Sequence, residues 1–470
     1  MPRPYHVHVP TGVARFTSVN PATEEEIESF DVADARAIDR ALDAATRAWR
    51  DWAARPLQQR AAMLQSVARI LRRDVETHAA TITAEMGKPL AESRAEIEKC
   101  AFACDYFADN AAAFLADEPA PSDSPSSFVS FDPLGVLLAC MPWNFPYWQV
   151  FRCIAPALAA GNCVVLKHAN NVTRCGLRMQ EALREAGVPD SVFTMLVLPS
   201  DAVADVIADP RIAAVSLTGS TGAGQSVAAA AGRHVKKCVL ELGGSDAFIV
   251  LEDADVERAA EIGARSRFQN AGQSCISAKR FIVVEAIAEE FEERLVAHTR
   301  AIKVGDPTDA GTTMGPLARA DLRDTAERQL RESVARGATQ RTGGTRPERR
   351  GFFLEPAVLT RCDVDMPAFI EETFGPLAAV ARVRDEDDAV EVANHSEFGL
   401  GGNVWTRDVE RGIRIAHRLQ TGGVFVNGMT HSDPRLPFGG VRGSGYGREL
   451  HRFGIHEFVD IKTVWVPEDS

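Results

Sequence analysis

From Val136 onward, short β-branched or apolar runs alternate with helix-length segments, and no other feature of the sequence restricts the fold as tightly. "GVLLAC" reads as a strand, residues 147–160 as a helix and "CVVLK" as a strand. Residues 172–187 then read as a helix closed by Gly187 and Pro189, "AVSLT" as a strand and 222–231 as a helix. "CVLEL" and "DAFIV" follow as strands with a glycine pair between them. A second series begins after about Leu251, with a helix over 254–268, the strand "RFIVV", a helix near 285–302 and the strands "FFLEPAVL" and "LAAVARV". This order builds open parallel sheets whose ligands gather at the carboxyl ends of the strands. A chain of 470 residues exceeds one ordinary globular unit, so two sizeable lobes are expected.

The acidic, Pro- and Ser-rich piece 117–133 interrupts the first lobe, and with the C-terminal "FVDIKTVWV" it reads as a protruding ribbon. Exposed strand edges need covering, so a homo-oligomer, dimer or tetramer, is expected. A formal net charge of −13 argues against a nucleic-acid partner, which requires an excess of Lys and Arg. The longest uncharged stretch, 133–151, carries three prolines and an Asn and reads as strand, loop and helix start, so no membrane partner is expected. "MPRPYHVHVPTGVARF" has no apolar core before a cleavage site, and the nine cysteines show no paired short spacing beyond Cys100 and Cys104, neighbours on one helix. A reducing cytoplasm is the expected location. His6 and His8 alternate on a possible strand without further ligands, so no metal site is expected.

Three stretches carry chemistry. In "FQNAGQSC" (268–275) Cys275 follows a glycine, three amides and a serine, with Lys279 and Arg280 close behind, a polar and cationic setting that favours the thiolate. In "LELGGS" (240–245) Glu241 sits among apolar residues before two glycines; a dry setting would raise its pKa toward that of a general base, while a solvated or salt-bridged Glu is the plainer reading. In "MPWNFP" (141–146) two prolines stiffen the segment around Asn144, whose amide is either an oxyanion donor or an ordinary turn residue. "LTGSTGAGQ" (217–225) follows a strand and opens a helix, so its backbone suits a phosphate. Its order, Gly219, Gly222, Gly224, is not the usual dinucleotide fingerprint.

Together, "EMGKP" (85–89), "MPWNFP", "VVLK", "LTGSTGAG", "LELGGSDAFIV", "NAGQSC", "EETFGP" (371–376) and "PFGGVRGSGYGRE" (437–449) resemble the aldehyde dehydrogenase superfamily across nearly the whole chain. The resemblance implies an α/β fold: a variant doubly wound nucleotide-binding domain (1–116 and 134–245), an α/β catalytic domain (246–436) and a small oligomerisation ribbon (117–133 and 450–470). It implies Cys275 as the nucleophile, Asn144 and the Cys275 backbone N–H as oxyanion donors, and Glu241 as the base for thioester hydrolysis. It further implies a nicotinamide cofactor held by Trp143, Lys167, Asn170, Gly219, Ser220, Gly224, Leu242, Glu372 and Phe374. Intact Cys275, Glu241 and Asn144 speak against a non-catalytic member with a binding or structural role.

Where many NAD-preferring members carry an acidic residue in "KPSE", this chain has Asn170 in "KHAN". Loss of that carboxylate removes repulsion against a 2′-phosphate, and Lys167 with His168 could attract one, so NADP use is expected, alongside NAD. "VVLKHANN", "QNAGQSCISAKRF" and "SDPRLPFGG" are similar to a branch of succinate-semialdehyde dehydrogenases. A distal carboxylate needs a cationic anchor. Arg152 matches a carboxylate-binding position of related enzymes, a second Arg position is Gln269 here, and Ser432 and Arg435 are the remaining candidates. Another aliphatic or aromatic aldehyde is the alternative substrate.

Overall fold

The computed structural model describes residues 15–467, so His6, His8 and most of the segment read for a signal lie outside the described residues. Among the described residues the strands form two open sheets, a three-stranded ribbon and an N-terminal hairpin. The first sheet runs Gly445–Tyr446, Lys237–Glu241, Ile212–Thr218, Val136–Met141, Cys163–His168, Phe193–Met195. All its pairs are parallel except the two-residue edge strand, which returns antiparallel to Lys237–Glu241. The second sheet runs Thr339–Thr342, Ala357–Thr360, Leu377–Val383, Ala278–Val284, Asp246–Val250, Gly401–Trp405, Gly423–Val426, parallel apart from its first pair.

Val136–Met141 and Ala278–Val284 are buried at every residue. Helices cover both faces of such strands, which is why they read as continuous apolar runs rather than alternating ones. The strand read in "FFLEPAVL" forms only from Ala357, because Pro356 has no N–H for a ladder. The chain passes from one sheet to the other through Leu242–Ser245, directly between Lys237–Glu241 and Asp246–Val250. That crossover places the carboxyl ends of the first sheet's strands against the second lobe.

The helix Trp148–Ala160 is buried at every one of its residues and ends on Gly161 at φ 101°. Apart from Gln149 and Arg152, whose polar groups are paired, the helix is apolar all round and so belongs in a core, and glycine at positive φ closes it without steric cost. Its first turn leaves backbone N–H groups unpaired, and the buried Glu96 accepts from Tyr147 N (2.8 Å) and Trp148 N (3.0 Å). Glu96 also pairs with the buried Lys88. This ties the start of the helix to Leu90–Phe114, the helix that carries Glu96, Cys100 and Cys104.

Val459–Val466 pairs along its length with Ser126–Pro133, which pairs with Glu118–Pro119. The preceding His451–His456 is a short helix packed on Leu90–Phe114 and Trp148–Ala160. Among the described residues no helix is long and apolar enough to cross a membrane.

Candidate active site

The helix Val256–Phe268 breaks at Gln269, and Asn270, Ala271 and Gly272 follow at φ 54°, 52° and 74°. Left-handed backbone at a residue with a Cβ costs about 1–2 kcal/mol, so other contacts must hold this turn. Asn270 donates through Nδ2 to Asn144 O (2.7 Å) and through its backbone N–H to Glu92 Oε2 (3.0 Å). Arg267, fully buried, donates to Gly272 O (3.0 Å) and Thr373 O (3.2 Å). Asn144 Nδ2 donates to Gln273 O (3.0 Å), and its Oδ1 accepts from Gln149 Nε2 (3.1 Å). The Asn144 amide is therefore fixed in orientation, with a second Nδ2 hydrogen uncommitted to that bond.

Cys275 emerges from this turn half-buried. Burial pushes its thiol up to about 12, against the opposing charges of Arg152 and Lys279. Desolvation thus opposes the thiolate that the cationic setting favours. Lys279 Nζ is spent on the Ser274 and Cys275 carbonyls (2.8 and 2.7 Å), and Arg280 turns away to Ser245 O (2.8 Å) and Ala393 O (2.9 Å). Behind the nucleophile, a Cβ on Gly244 would lie 2.5 Å from Cys275 O, so only glycine lets the two segments approach.

Glu241 ends its strand with a 2% exposed carboxylate that accepts no side-chain hydrogen bond. Burial pushes its carboxyl well above the usual range, Arg152 opposes and the carboxylate of Glu449 adds to the rise. Arg152 Nη2 lies 3.9 Å from Glu241 and donates to Thr218 Oγ1 (3.2 Å), while its Nε side pairs closely with the fully buried Glu449. Glu241 is therefore not solvated; it is buried, with Arg152 at the far edge of ion-pair distance.

Two connected cavities share Pro142, Trp143, Thr218 and Gly219. The outer one, about 380 Å³, is lined by Lys167, Ser200, Asp201 and the face of the helix Thr221–Arg233. The inner one, about 190 Å³, is lined by Asn144, Ser220, Leu242, Glu372, Phe374 and Cys275. Trp143 and Phe374 meet edge to face at 5.7 Å between ring centres. Ser220 caps the helix, accepting from Ala223 N (3.3 Å). Gly219 donates its N–H to Glu241 O (2.9 Å), and Gly224 packs where a Cβ would strike Leu242. Glu372 accepts from Gly244 N (2.9 Å), and burial raises its carboxyl. Lys167 has no ion-pair partner among the described residues, so an unpaired amine stands at the outer end and a helix N-terminus midway. The donor set fits a dinucleotide.

Asn170 opens the short turn Asn170–Val172 just past Lys167. His168, expected as a second cation, is corrected: its ring is buried between the Met141 (3.1 Å) and Pro146 (3.0 Å) carbonyls, and burial takes it down to about 4. Both ring nitrogens are turned to carbonyls and the ring does not line the outer cavity, so it is not placed to meet a phosphate.

On the other side of Cys275 lies a cavity of about 100 Å³ lined by Gln149, Arg152, Gln269, Phe438, Ser432 and Lys99. Cys275 and Gln149 line both this cavity and the inner cofactor cavity. Ser432 is buried in the wall, where its Oγ accepts from Trp148 Nε1 (2.8 Å). Arg435 does not join them; it is exposed, paired with Asp433 and does not line the cavity.

Residues 8–464 match the aldehyde dehydrogenase family. The chain belongs to the aldehyde dehydrogenase family. It is an oxidoreductase acting on an aldehyde. Succinate-semialdehyde dehydrogenase (NADP(+)) 1 of Mycobacterium tuberculosis is 47% identical over 96% of this chain and 99% of its own length. The Escherichia coli succinate semialdehyde dehydrogenase (NAD(P)+) Sad is 46% identical over 95% and 97%. The crystal structure of succinic semialdehyde dehydrogenase from Streptococcus pyogenes in complex with NADP+ superposes with a TM-score of 0.94 at 38% identity, covering 96% of this chain and all of that one.

Sequence reasoning missed Lys99, Gln149 and Glu449 as parts of the dehydrogenase site, and Asp201 at the rim of the outer cavity. For Lys99 a signal exists: Glu92, Glu96 and Lys99 recur at i, i+4 and i+7 beside the apolar face of Ile97, Cys100, Ala103 and Phe107, which places charges at the edge of a buried face.

Proposed function

We propose that the chain oxidises succinate semialdehyde, or a similar short ω-carboxy aldehyde, to the acid, using NADP with NAD as a second cofactor. The observation that carries this reading is the position of Cys275, whose thiol is the common wall of a dinucleotide groove and a small separate cavity. The mycobacterial and E. coli relatives carry that substrate in their names and support its choice. Asn170 in place of an acid, three positions after the cavity-lining Lys167, supports NADP.

In this reading Cys275 Sγ loses its proton and attacks the carbonyl carbon. Asn144 Nδ2 and the Cys275 N–H hold the oxyanion. A nicotinamide held by the lining that includes Ser220, Leu242, Glu372 and Phe374 would supply the hydride acceptor that oxidation of the thiohemiacetal carbon requires. The acyl group then rests on Cys275 as a thioester, and Glu241 takes a proton from the water that attacks it. Arg152, between Glu241 and Glu449, tempers the rise in both carboxyls.

The same reading divides the chain into the nucleotide-binding, catalytic and ribbon parts given above, and assigns the ribbon to a homo-oligomer. The nine cysteines are unpaired, which suits a reducing cytoplasm. The test is kcat/KM for an aldehyde panel with each cofactor. Succinate semialdehyde is expected to lead butanal by tenfold or more, about 1.4 kcal/mol. Equal values would remove the substrate assignment.

A further inference from the structure

We propose that the Glu92 carboxylate is a positioning group for the oxyanion donor, holding the left-handed turn at Asn270 and, through the Asn270 side chain, fixing Asn144; this rests on the oxyanion role of Asn144 proposed above. Glu92 is half-buried in the first turn of the helix Leu90–Phe114 and lines neither cavity beside Cys275. Its Oε2 accepts from the Asn270 N–H at 3.0 Å, with Oε1 at 3.4 Å. Asn270 stands at φ 54° and Ala271 at φ 52°, backbone that a residue with a Cβ keeps only where several contacts impose it.

The Asn270 side chain carries this grip to the catalytic amide. It spends both Nδ2 hydrogens on the protein, on Asn144 O at 2.7 Å and on Gln273 O at 3.2 Å. Gln273 O accepts in turn from Asn144 Nδ2 at 3.0 Å. One turn further along the same helix, Glu96 holds the Tyr147 and Trp148 N–H groups, just past Asn144 in the chain. Two carboxylates four residues apart thus grip both the segment 144–148 and the turn 270–272, and the amide is set between them.

Burial raises the Glu92 carboxyl to about 7; Lys88, the Asn270 N–H and Arg265 oppose the rise, and Glu96 adds to it. An ionised carboxylate is the stronger acceptor, so the grip on the turn is full above this value and slackens below it. Stability moves the other way. The folded chain holds the Glu92 proton more tightly than the unfolded one, so the stability due to that proton is full at low pH and is lost as pH rises from the ordinary glutamate value of 4.5 through about 7. The charged form therefore helps the reaction while lowering stability, a combination that a merely structural carboxylate would not show.

The measurement is the single-turnover rate of NADPH formation in the full chain with saturating NADP, with succinate semialdehyde and butanal alike, from about pH 5.5 to 8.5. E92Q keeps a neutral acceptor of the same length and stands for the protonated form. Cys275 ionisation raises the rate with pH in both proteins, so the ratio of wild type to E92Q isolates Glu92. That ratio is expected to be near one at the acid end and to climb through about 7 to roughly threefold or more, while E92Q melts no lower than wild type at the alkaline end. In E92A, which removes the acceptor, the rate should fall about tenfold or more, and in E92A/N144A no further than in N144A alone. Should E92A fail to fold, the E92Q ratio decides. A ratio that stays flat across pH, or an E92A defect that multiplies in full onto N144A, overturns the proposal. An N144A variant with the wild-type rate removes the oxyanion reading itself, whatever Glu92 does.

Discussion

Glu241 and Cys275 are both pushed toward their neutral forms by burial, so the resting site is poised rather than charged. A carboxyl raised above its usual range is protonated at low pH and becomes a base only as pH rises. Glu241→Gln should therefore preserve a first burst of NADPH while lowering the steady-state rate about 10²- to 10⁴-fold. The wild-type rise of steady-state rate with pH should vanish in that variant. An unaltered steady-state rate with a normal burst would show that another group activates the water. The glycine- and proline-rich surroundings of Cys275, Glu241 and Asn144 drew attention to them, and the roles expected of them came from the family resemblance. Their protonation was not legible there, because it depends on burial among residues such as Glu449 and Arg152, which lie far apart in sequence.

At the level of elements, the turn Gln269–Gly272 and the crossover Leu242–Ser245 are pressed together at Gly244. Gly244→Ala would put a methyl carbon 2.5 Å from the Cys275 carbonyl and 3.1 Å from Leu400. That carbonyl is held by Lys279, so the strain must move the nucleophile or the turn. The variant should lose about 1–3 kcal/mol of stability by denaturant titration and tenfold or more in kcat; wild-type values for both would show the contact to be soft. The alternation of strands and helices was readable throughout because parallel strands and their covering helices impose distinct periods. "LAAVARV" coincides with Leu377–Val383, whereas the helix read over 172–187 runs Thr173–Glu185. What escaped was placement. Nothing in "EIEKCAF" states that Lys99 meets Ser432, residues more than three hundred positions apart, since helical spacing reveals a face but not its neighbour.

For the whole molecule, the ribbon projects Ile461 and Trp465, 66% and 51% exposed, from a strand that has one neighbour. An apolar strand edge of this kind is stabilised by pairing. Ile461→Asp combined with Trp465→Ser is expected to lower the mass seen by light scattering; an unchanged mass would place any subunit contact elsewhere. The helix Trp148–Ala160 has the opposite character: it contributes Trp148, Gln149 and Arg152 to the site while every residue is enclosed by core. Segments enclosed in this way open only when the surrounding structure opens. The substrate wall consequently has no private route to disorder. Warming should not soften specificity ahead of collapse, and selectivity and cooperative structure should disappear over the same few degrees.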